Sequence, residues 1–292
     1  MKLLVIGHTV KDIIVLHNEV ITKPGGIFYS VMGLSNLADE QDSVFLATSL
    51  DEENASLFDS VYSSVQKDFF ENVEAIPKVN LMHNDNMERE EIYENITNNL
   101  KLKIEDYNSF DGILINMITG FDITLEQMED IRKNYNGIIY FDVHTLARGL
   151  DENYKRDFRK IPNFSKWAKC IDILQANESE LLTLSEKDDE LEIIRELLSY
   201  GINIVIITKD QRGARIFSMK KSEIISTFAS SIKVDLKNKI GCGDVFGAAF
   251  FYNYIASRDE VHSLYAANKA AGFFVGSADL INLKSLREYV FA

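Results

Sequence analysis

Residues 112–142 read GILINMITGFDITLEQMEDIRKNYNGIIYFD, and this stretch decides the class of fold. Ile113-Leu114-Ile115 is a short continuous apolar run, the mark of a strand buried on both faces. Residues 125–135 carry apolar side chains at helical spacing, and 138–141 form a second apolar run that ends at Asp142. Strand, helix and strand in that order predict a parallel sheet covered by helices on both faces.

The pattern continues downstream. Residues 171–174 read as a strand, 179–184 and 191–198 as helices, and 204–207 as another continuous apolar strand. Short strands at 214–217 and 224–228 precede two long helices, 244–256 and 261–275. Upstream, 3–6 and 43–50 read as strands, while 28–37 and the face made by Leu57, Val61 and Val65 read as helical. Pro24-Gly25-Gly26 is expected to break the chain before the first helix. Two hairpins are expected, 13–16 with 19–22 about His17-Asn18, and 79–83 with 91–97 about the polar tip Asn84-Asp85-Asn86. The reading is a single doubly wound α/β domain over residues 1–292. Its sheet is mostly parallel and flanked by helices, and the hairpins at about 13–24 and 78–100 stand off it as a small β-sheet lid.

Composition supports a folded chain with a sizeable core: 46% of the 292 residues are hydrophobic, 26% are charged and only three are proline. A formal charge of −14 argues against nucleic-acid partners, which require a basic stripe that releases counterions. It does not forbid a nucleotide, because backbone N–H groups hold phosphates against the overall field. The apolar run at the N-terminus is too short for a signal peptide, and no stretch approaches a membrane span, so a cytoplasmic protein without membrane partners is expected. Cys170 and Cys242 are far apart and form no metal or disulfide spacing, which fits a reducing compartment.

Gly241-Cys242-Gly243-Asp244 stands at the start of an apolar helix. A Gly-x-Gly turn lets successive N–H groups face one concavity, and the helix end adds partial positive charge. Phosphoryl transfer needs that arrangement, and a carboxylate at its mouth can take the proton of an attacking hydroxyl. Taken alone, the four residues fit a helix cap at least as well. A dinucleotide fingerprint through Gly241, Gly243 and Gly247 is rejected, since no buried strand precedes it. Asn177 and Glu180, three residues apart, are likewise a capping signature. Residues 208–213 follow an apolar strand, on the side of the sheet where ligands bind, and so does Arg148 beyond Asp142. His8, His17, His83 and His262 have no second ligand at metal spacing.

The succession Gly7 and Asp12, Gly25-Gly26, Asn177-x-x-Glu180, Thr208 to Gly213 and Gly241-Cys242-Gly243-Asp244 resembles the ribokinase-like, or PfkB, family of carbohydrate and nucleoside kinases. The resemblance covers almost the whole chain. It implies a mostly parallel sheet with a small lid, and ATP and Mg2+ as donor and metal. Asp244 then corresponds to the catalytic base, and the N–H groups of Gly241, Cys242 and Gly243 to the anion hole. Asp12 corresponds to a residue that binds substrate hydroxyls, with Gly25, Gly26, Ser30 and Arg148 also on the substrate side. Asn177 and Glu180 correspond to the pair that places magnesium and phosphates, Thr208 and Gly213 to the nucleotide-side element, and Asn268 to the helix along the adenine. The expected partner is a small-molecule alcohol, a sugar or nucleoside, and the resemblance also implies a homodimer through the lid.

Several positions depart from the family pattern: Asn238-Lys239-Ile240 before the turn, Cys242 in place of alanine, Asp210 in place of glycine, and Ser30 where asparagine is usual. A thiol at a helix N-terminus has a lowered pKa, which would make Cys242 oxidisable; the simpler account is a small residue replacing alanine. Three functions stay open at this point: a sugar kinase, a nucleoside kinase, and a catalytically inactive sugar- or nucleotide-binding regulator.

Overall fold

The computed structural model describes residues 1–16, 19–83, 90–152, 155–237, 239–277 and 285–292. The chain opens with β1 (Lys2–Ile6), β2 (Thr9–Leu16), β3 (Glu19–Gly26), α1 (Phe28–Leu37), β4 (Ser43–Leu50), α2 (Ala55–Tyr62) and β5 (Gln66–Asn72). Next come β6 (Lys78–His83), β7 (Glu90–Glu94), β8 (Gly112–Asn116), α3 (Leu125–Asn134) and β9 (Ile138–Asp142). A short hairpin of β10 (Arg148–Leu150) and β11 (Arg156–Phe158) leads through α4 (Phe164–Ala168) to β12 (Ile173–Asn177), α5 (Glu178–Leu181), α6 (Glu190–Ser199) and β13 (Ile204–Thr208). The last elements are β14 (Gly213–Lys220), β15 (Glu223–Ser230), α7 (Cys242–Ser257), α8 (Glu260–Gly276) and α9 (Leu286–Phe291).

Nine strands form one sheet in the order β15-β14-β13-β12-β9-β8-β1-β4-β5. It is parallel from β13 to β5, and β14 and β15 add an antiparallel edge. The chain leaves β1 for β4 and β5 on one side, then returns to lay β8, β9, β12 and β13 on the other. Strand order therefore reverses at β1, and in such sheets ligands bind beyond the carboxyl ends of the strands at the reversal.

The central strands β1, β8, β9, β12 and β13 bury both faces, as their continuous apolar runs require. Leu3, Val5 and Leu114 enter a core shared with Leu34, Phe58, Phe250, Phe274 and Val290, which come from α1, α2, α7, α8 and α9. Leu4, Ile6, Ile113 and Ile115 enter the opposite core with Met128, Trp167, Ile193 and Leu197 from α3, α4 and α6. Each fully buried side chain of this size contributes about 1.5–3 kcal/mol, so the two-faced pattern holds the layers together. Among the described residues no helix is long and apolar enough to cross a membrane.

A separate four-stranded sheet has the order β3-β2-β6-β7. Here the expected chain break is corrected: Pro24-Gly25-Gly26 lies inside β3, paired with Lys11, Val10 and Thr9 of β2. Because β3 is an edge strand, a residue without an N–H donor is tolerated in it. The turns expected at His17-Asn18 and Asn84-Asp85-Asn86, and the departure at Asn238, lie outside the described residues.

Candidate active site

Four parallel strands end in polar residues: Asn116 on β8, Asp142 on β9, Asn177 on β12 and Thr208 on β13. Strand register sets them side by side, Asn116 opposite Asp142 and Asn177 opposite Thr208. The N-terminus of α7 meets this rim, and Asp12 and Gly26 of the small sheet close the other wall of a cleft of about 1060 Å³.

Gly241 is the N-cap of α7 and takes a left-handed φ of 86°. A Cβ on it would lie 2.4 Å from the Tyr29 ring, so both its conformation and its packing require glycine. Gly243 differs, since a Cβ there would meet no atom within 4 Å. The half-buried Asp244 sits in the first turn, where Asn116 Nδ2 donates to its Oδ1 at 2.7 Å. Burial raises the pKa of Asp244, and His144 and the Asn116 hydrogen bond oppose that rise. Among the described residues no side chain caps α7. Behind the turn, Gln175 Nε2 donates to Gly243 O at 3.2 Å and to Asp142 Oδ2 at 2.7 Å, and the Tyr140 hydroxyl donates to Gln175 Oε1.

Asp142 and Glu180 converge on the same cleft. Burial raises the pKa of both; next, the neighbouring Glu180 and Asp244 charges add to the rise at Asp142, while His144 opposes it at Glu180. The capping alternative for Asn177 and Glu180 describes their geometry: Asn177 Oδ1 accepts from Glu180 N at 2.9 Å, and Glu180 Oε2 accepts from Asn177 N at 2.8 Å. Both residues also line the cleft.

On the small-sheet side, a Cβ on Gly25 would fall 2.5 Å from Asp12 Oδ2, so Gly25 is absent from the cleft wall and instead makes room for that carboxylate. Gly26 has a φ of 65° and packs against His8 O. Ser30 is a correction. It is 1% exposed, its Oγ lies 3.3 Å behind Asn116 Nδ2, and it does not reach the cleft, because the first turn of α1 faces the core. Arg148 does line the cleft, with its guanidinium 4.8 Å from the Phe158 ring. Arg156 lies beside it, 4.4 Å from the ring of Tyr93 on β7, and donates from Nη2 to Thr119 O at 2.6 Å. The reading of the sequence passed over Asn116, Gln175 and Arg156. For the first two a signal existed, a polar residue at the carboxyl end of an apolar strand.

On the opposite side lie Thr208, Asp210, Gly213 and Asn268. Asp210 keeps a left-handed φ of 48°, the conformation for which the family's glycine is suited. Lys209 is engaged by Glu178 at 3.0 Å and Glu190 at 2.6 Å, and Arg212 by Glu178. Asn268 Nδ2 donates to Ala229 O at 3.0 Å and so ties α8 to β15. Burial, and then the Asp244 charge, push the Cys242 thiol pKa up rather than down, which favours the account of Cys242 as a small residue in place of alanine. Among the described residues no group of three or more His, Cys, Asp or Glu forms a ready-made metal site.

The large, mostly parallel sheet flanked by helices and the separate small sheet are those of a ribokinase-like fold. Two solved structures illustrate it. A pyrophosphate-dependent kinase in the ribokinase family, complexed with a pyrophosphate analog and myo-inositol, superposes with a TM-score of 0.76 at 18% identity, covering 97% of this chain and 99% of that one. Arabidopsis thaliana ribokinase, complexed with ribose and ATP, superposes with a TM-score of 0.77 at 19% identity, covering 99% of this chain and 98% of that one. Residues 123–286 match the family described as pfkB family carbohydrate kinase, and the chain belongs to that family. It is 25% identical over 171 residues to 5-dehydro-2-deoxygluconokinase of Clostridium beijerinckii, a match over 55% of this chain. The matched segment spans about half of that relative, 48% of its length.

Proposed function

We propose that this protein transfers the terminal phosphoryl group of ATP to a hydroxyl of a small sugar or sugar-like alcohol, with magnesium. The observation that carries the reading is Asp244, held by Asn116 in the first turn of α7 at the floor of the cleft, a helix that no described side chain caps. In the reaction the acceptor O–H proton passes to the free oxygen of Asp244, and the acceptor oxygen bonds to the γ-phosphorus. The bond from that phosphorus to the β-phosphate oxygen breaks, and ADP leaves. The N–H groups of Gly241, Cys242 and Gly243 face the charge that develops on the transferred group. The small sheet acts as a lid that keeps water from competing as acceptor, and two copies pair through it.

Glu180 and Asp142 suit a cation nearby, since each is a buried carboxylate whose charged form is disfavoured as the site stands. Glu180 and Asp142 are the residues that would hold a magnesium ion, in part through water, and the ion would supply neutralisation of phosphate charge. ATP is supported over bare pyrophosphate by the apolar far wall of the cleft, where Val234, Leu236, Ile240, Ala271 and Val275 offer a surface for a base. A polyhydroxy acceptor is supported by Asp12, Thr119, Thr145 and Arg156, which ring the near wall with hydrogen-bonding groups.

The test is ADP release from ATP in the presence of hexoses, pentoses, inositols, sugar acids and nucleosides, with pyrophosphate replacing ATP as the control donor. Turnover stimulated by a sugar-like alcohol and lost in Asp244→Asn is expected. Tight ligand binding with no alcohol-stimulated turnover would overturn the reading in favour of an inactive binding protein.

A further inference from the structure

Asn116 is the last residue of β8, and only 1% of it is exposed. Its Nδ2 donates at 2.7 Å to Asp244 Oδ1 and at 3.3 Å to Ser30 Oγ. Its Oδ1 is buried and has no hydrogen-bond partner among the described residues. Flipping the amide would set that oxygen against the carboxylate, acceptor facing acceptor, so only one orientation is stable. The backbone around it is equally constrained: β8 pairs with β1 and β9 on its two sides, and a Cβ on Gly7 would lie 2.8 Å from Asn116 O.

We infer that Asn116 is a positioning residue for the base: it occupies one oxygen of the Asp244 carboxylate and so dedicates the other to the acceptor hydroxyl. The inference rests on the kinase reading for the identity of the base, but the hydrogen bond can be tested without turnover. During transfer the acceptor proton moves to the free oxygen while Asn116 goes on donating to Oδ1. A charge-assisted bond of this kind favours the ionised carboxylate, the form a base must have. The other groups facing Asp244 are His144 and its own backbone N–H, which also favour ionisation, and Asp142, Glu180, Tyr29, Tyr140 and Cys242, whose own ionisation its charge disfavours. Without the Asn116 donor, burial acts on Asp244 with less opposition.

The experiment uses the full chain with Asn116→Leu, and with the smaller Asn116→Ser in case leucine perturbs folding. ATP and the acceptor panel above are the probes. In both variants kcat should fall roughly tenfold with KM for ATP little changed, and the acid limb of the rate profile should move to higher pH. Adding Asp244→Asn should cost little beyond Asp244→Asn alone, because both changes remove one function. In parallel, carbon-13 NMR of the aspartate carboxyls, assigned with Asp244→Asn, should show Asp244 titrating at higher pH in the Asn116 variants. Unchanged titration of Asp244 in a folded variant, or losses that add in the double variant, would overturn the inference. If no acceptor supports turnover but the titration moves, the kinase reading fails and the positioning role stands.

Discussion

Two helices begin at the cleft, and they treat their first turns in opposite ways. At α5, Asn177 and Glu180 satisfy each other's backbone N–H groups reciprocally, and the helix end is closed. At α7, the N-cap is Gly241 and among the described residues no side chain caps the helix; Cys242 N reaches Lys239 O, at 3.5 Å, and the carboxylate three residues on is held by Asn116 instead. Side chains cap α3, α6 and α8, through Thr124, Asp189 and Asp259. The contrast teaches that an acid three residues after a helix start has no fixed meaning. Closed, it stabilises the fold; open, it leaves donors and the positive end of a sixteen-residue helix facing the cleft.

The sharpest way to break that comparison is Asp244→Asn. If the carboxylate is a base, phosphotransfer falls by at least about 10², while the fold does not suffer. The sign of the stability change follows from the raised pKa. A carboxyl whose folded value lies above its unfolded one contributes stability that is full below the unfolded pKa and is lost as pH rises through the folded value. At neutral pH the charge of Asp244 is therefore a burden, and Asp244→Asn should melt no earlier than the parent. For the same reason, turnover of the parent should fall with acidification at a higher pH than an exposed aspartate would give. Near-normal turnover in the variant would return Asp244 to the capping role.

Gly243→Ala is the next largest effect and separates fold from function in the same turn. Apart from its chain neighbours and the helix's own backbone, no atom of the described residues lies within 4 Å of the added methyl, and alanine favours a helix over glycine by up to about 1 kcal/mol. Thermal stability should hold or rise, while a methyl on the cleft wall should lower phosphotransfer between about ten- and a hundredfold. Full activity in Gly243→Ala would mean that nothing approaches that backbone.

How much of this was legible in the sequence follows from burial. Strands such as Ile204–Thr208 announce themselves because both faces are covered, so every position must be apolar. Gln66–Asn72 did not, since it is an edge strand with no buried residue and no alternation to read. Strand β12 was expected at 171–174 but runs Ile173–Asn177, because its end carries Gln175 and Asn177, polar residues facing the cleft rather than a core. That shift hid Gln175, and stopping β8 at Ile115 hid Asn116. The residues that departed from strand periodicity were the ones that met at the rim. Arg156 was beyond reach: it owes its place to stacking on Tyr93, 63 positions earlier, and to a carbonyl in another loop.

At α5 the comparison is sharpened by two variants that separate cap from charge. Glu180→Gln keeps the capping box, since glutamine serves at the third position, but removes the carboxylate. Stability should hold or rise, since the buried Glu180 carboxyl also has a raised pKa, and the magnesium concentration for half-maximal turnover should rise roughly tenfold. Asn177→Ala removes the cap and should cost about 1 kcal/mol in thermal or urea unfolding. An unchanged magnesium titration in Glu180→Gln would leave α5 as a closed helix end and nothing more.

The smallest effect concerns Asp210, which opens the loop facing α7 across the cleft, close enough for its charge to raise the Cys242 pKa. The left-handed φ of 48° costs an L-residue about 1–2 kcal/mol, less for aspartate, and glycine gives back part of the gain through its own chain entropy. Asp210→Gly should therefore stabilise the protein by only about 0.5 kcal/mol, read as a small upward shift in Tm. Its second readout bears on the open helix end. Removing an exposed negative charge from this wall should tighten ATP by about twofold at low salt, an effect that fades as salt is added. It should also let the Cys242 thiol react with an alkylating reagent at slightly lower pH. If ATP binding weakens instead, Asp210 is a contact for the donor's hydroxyls rather than a like charge that its phosphates must approach.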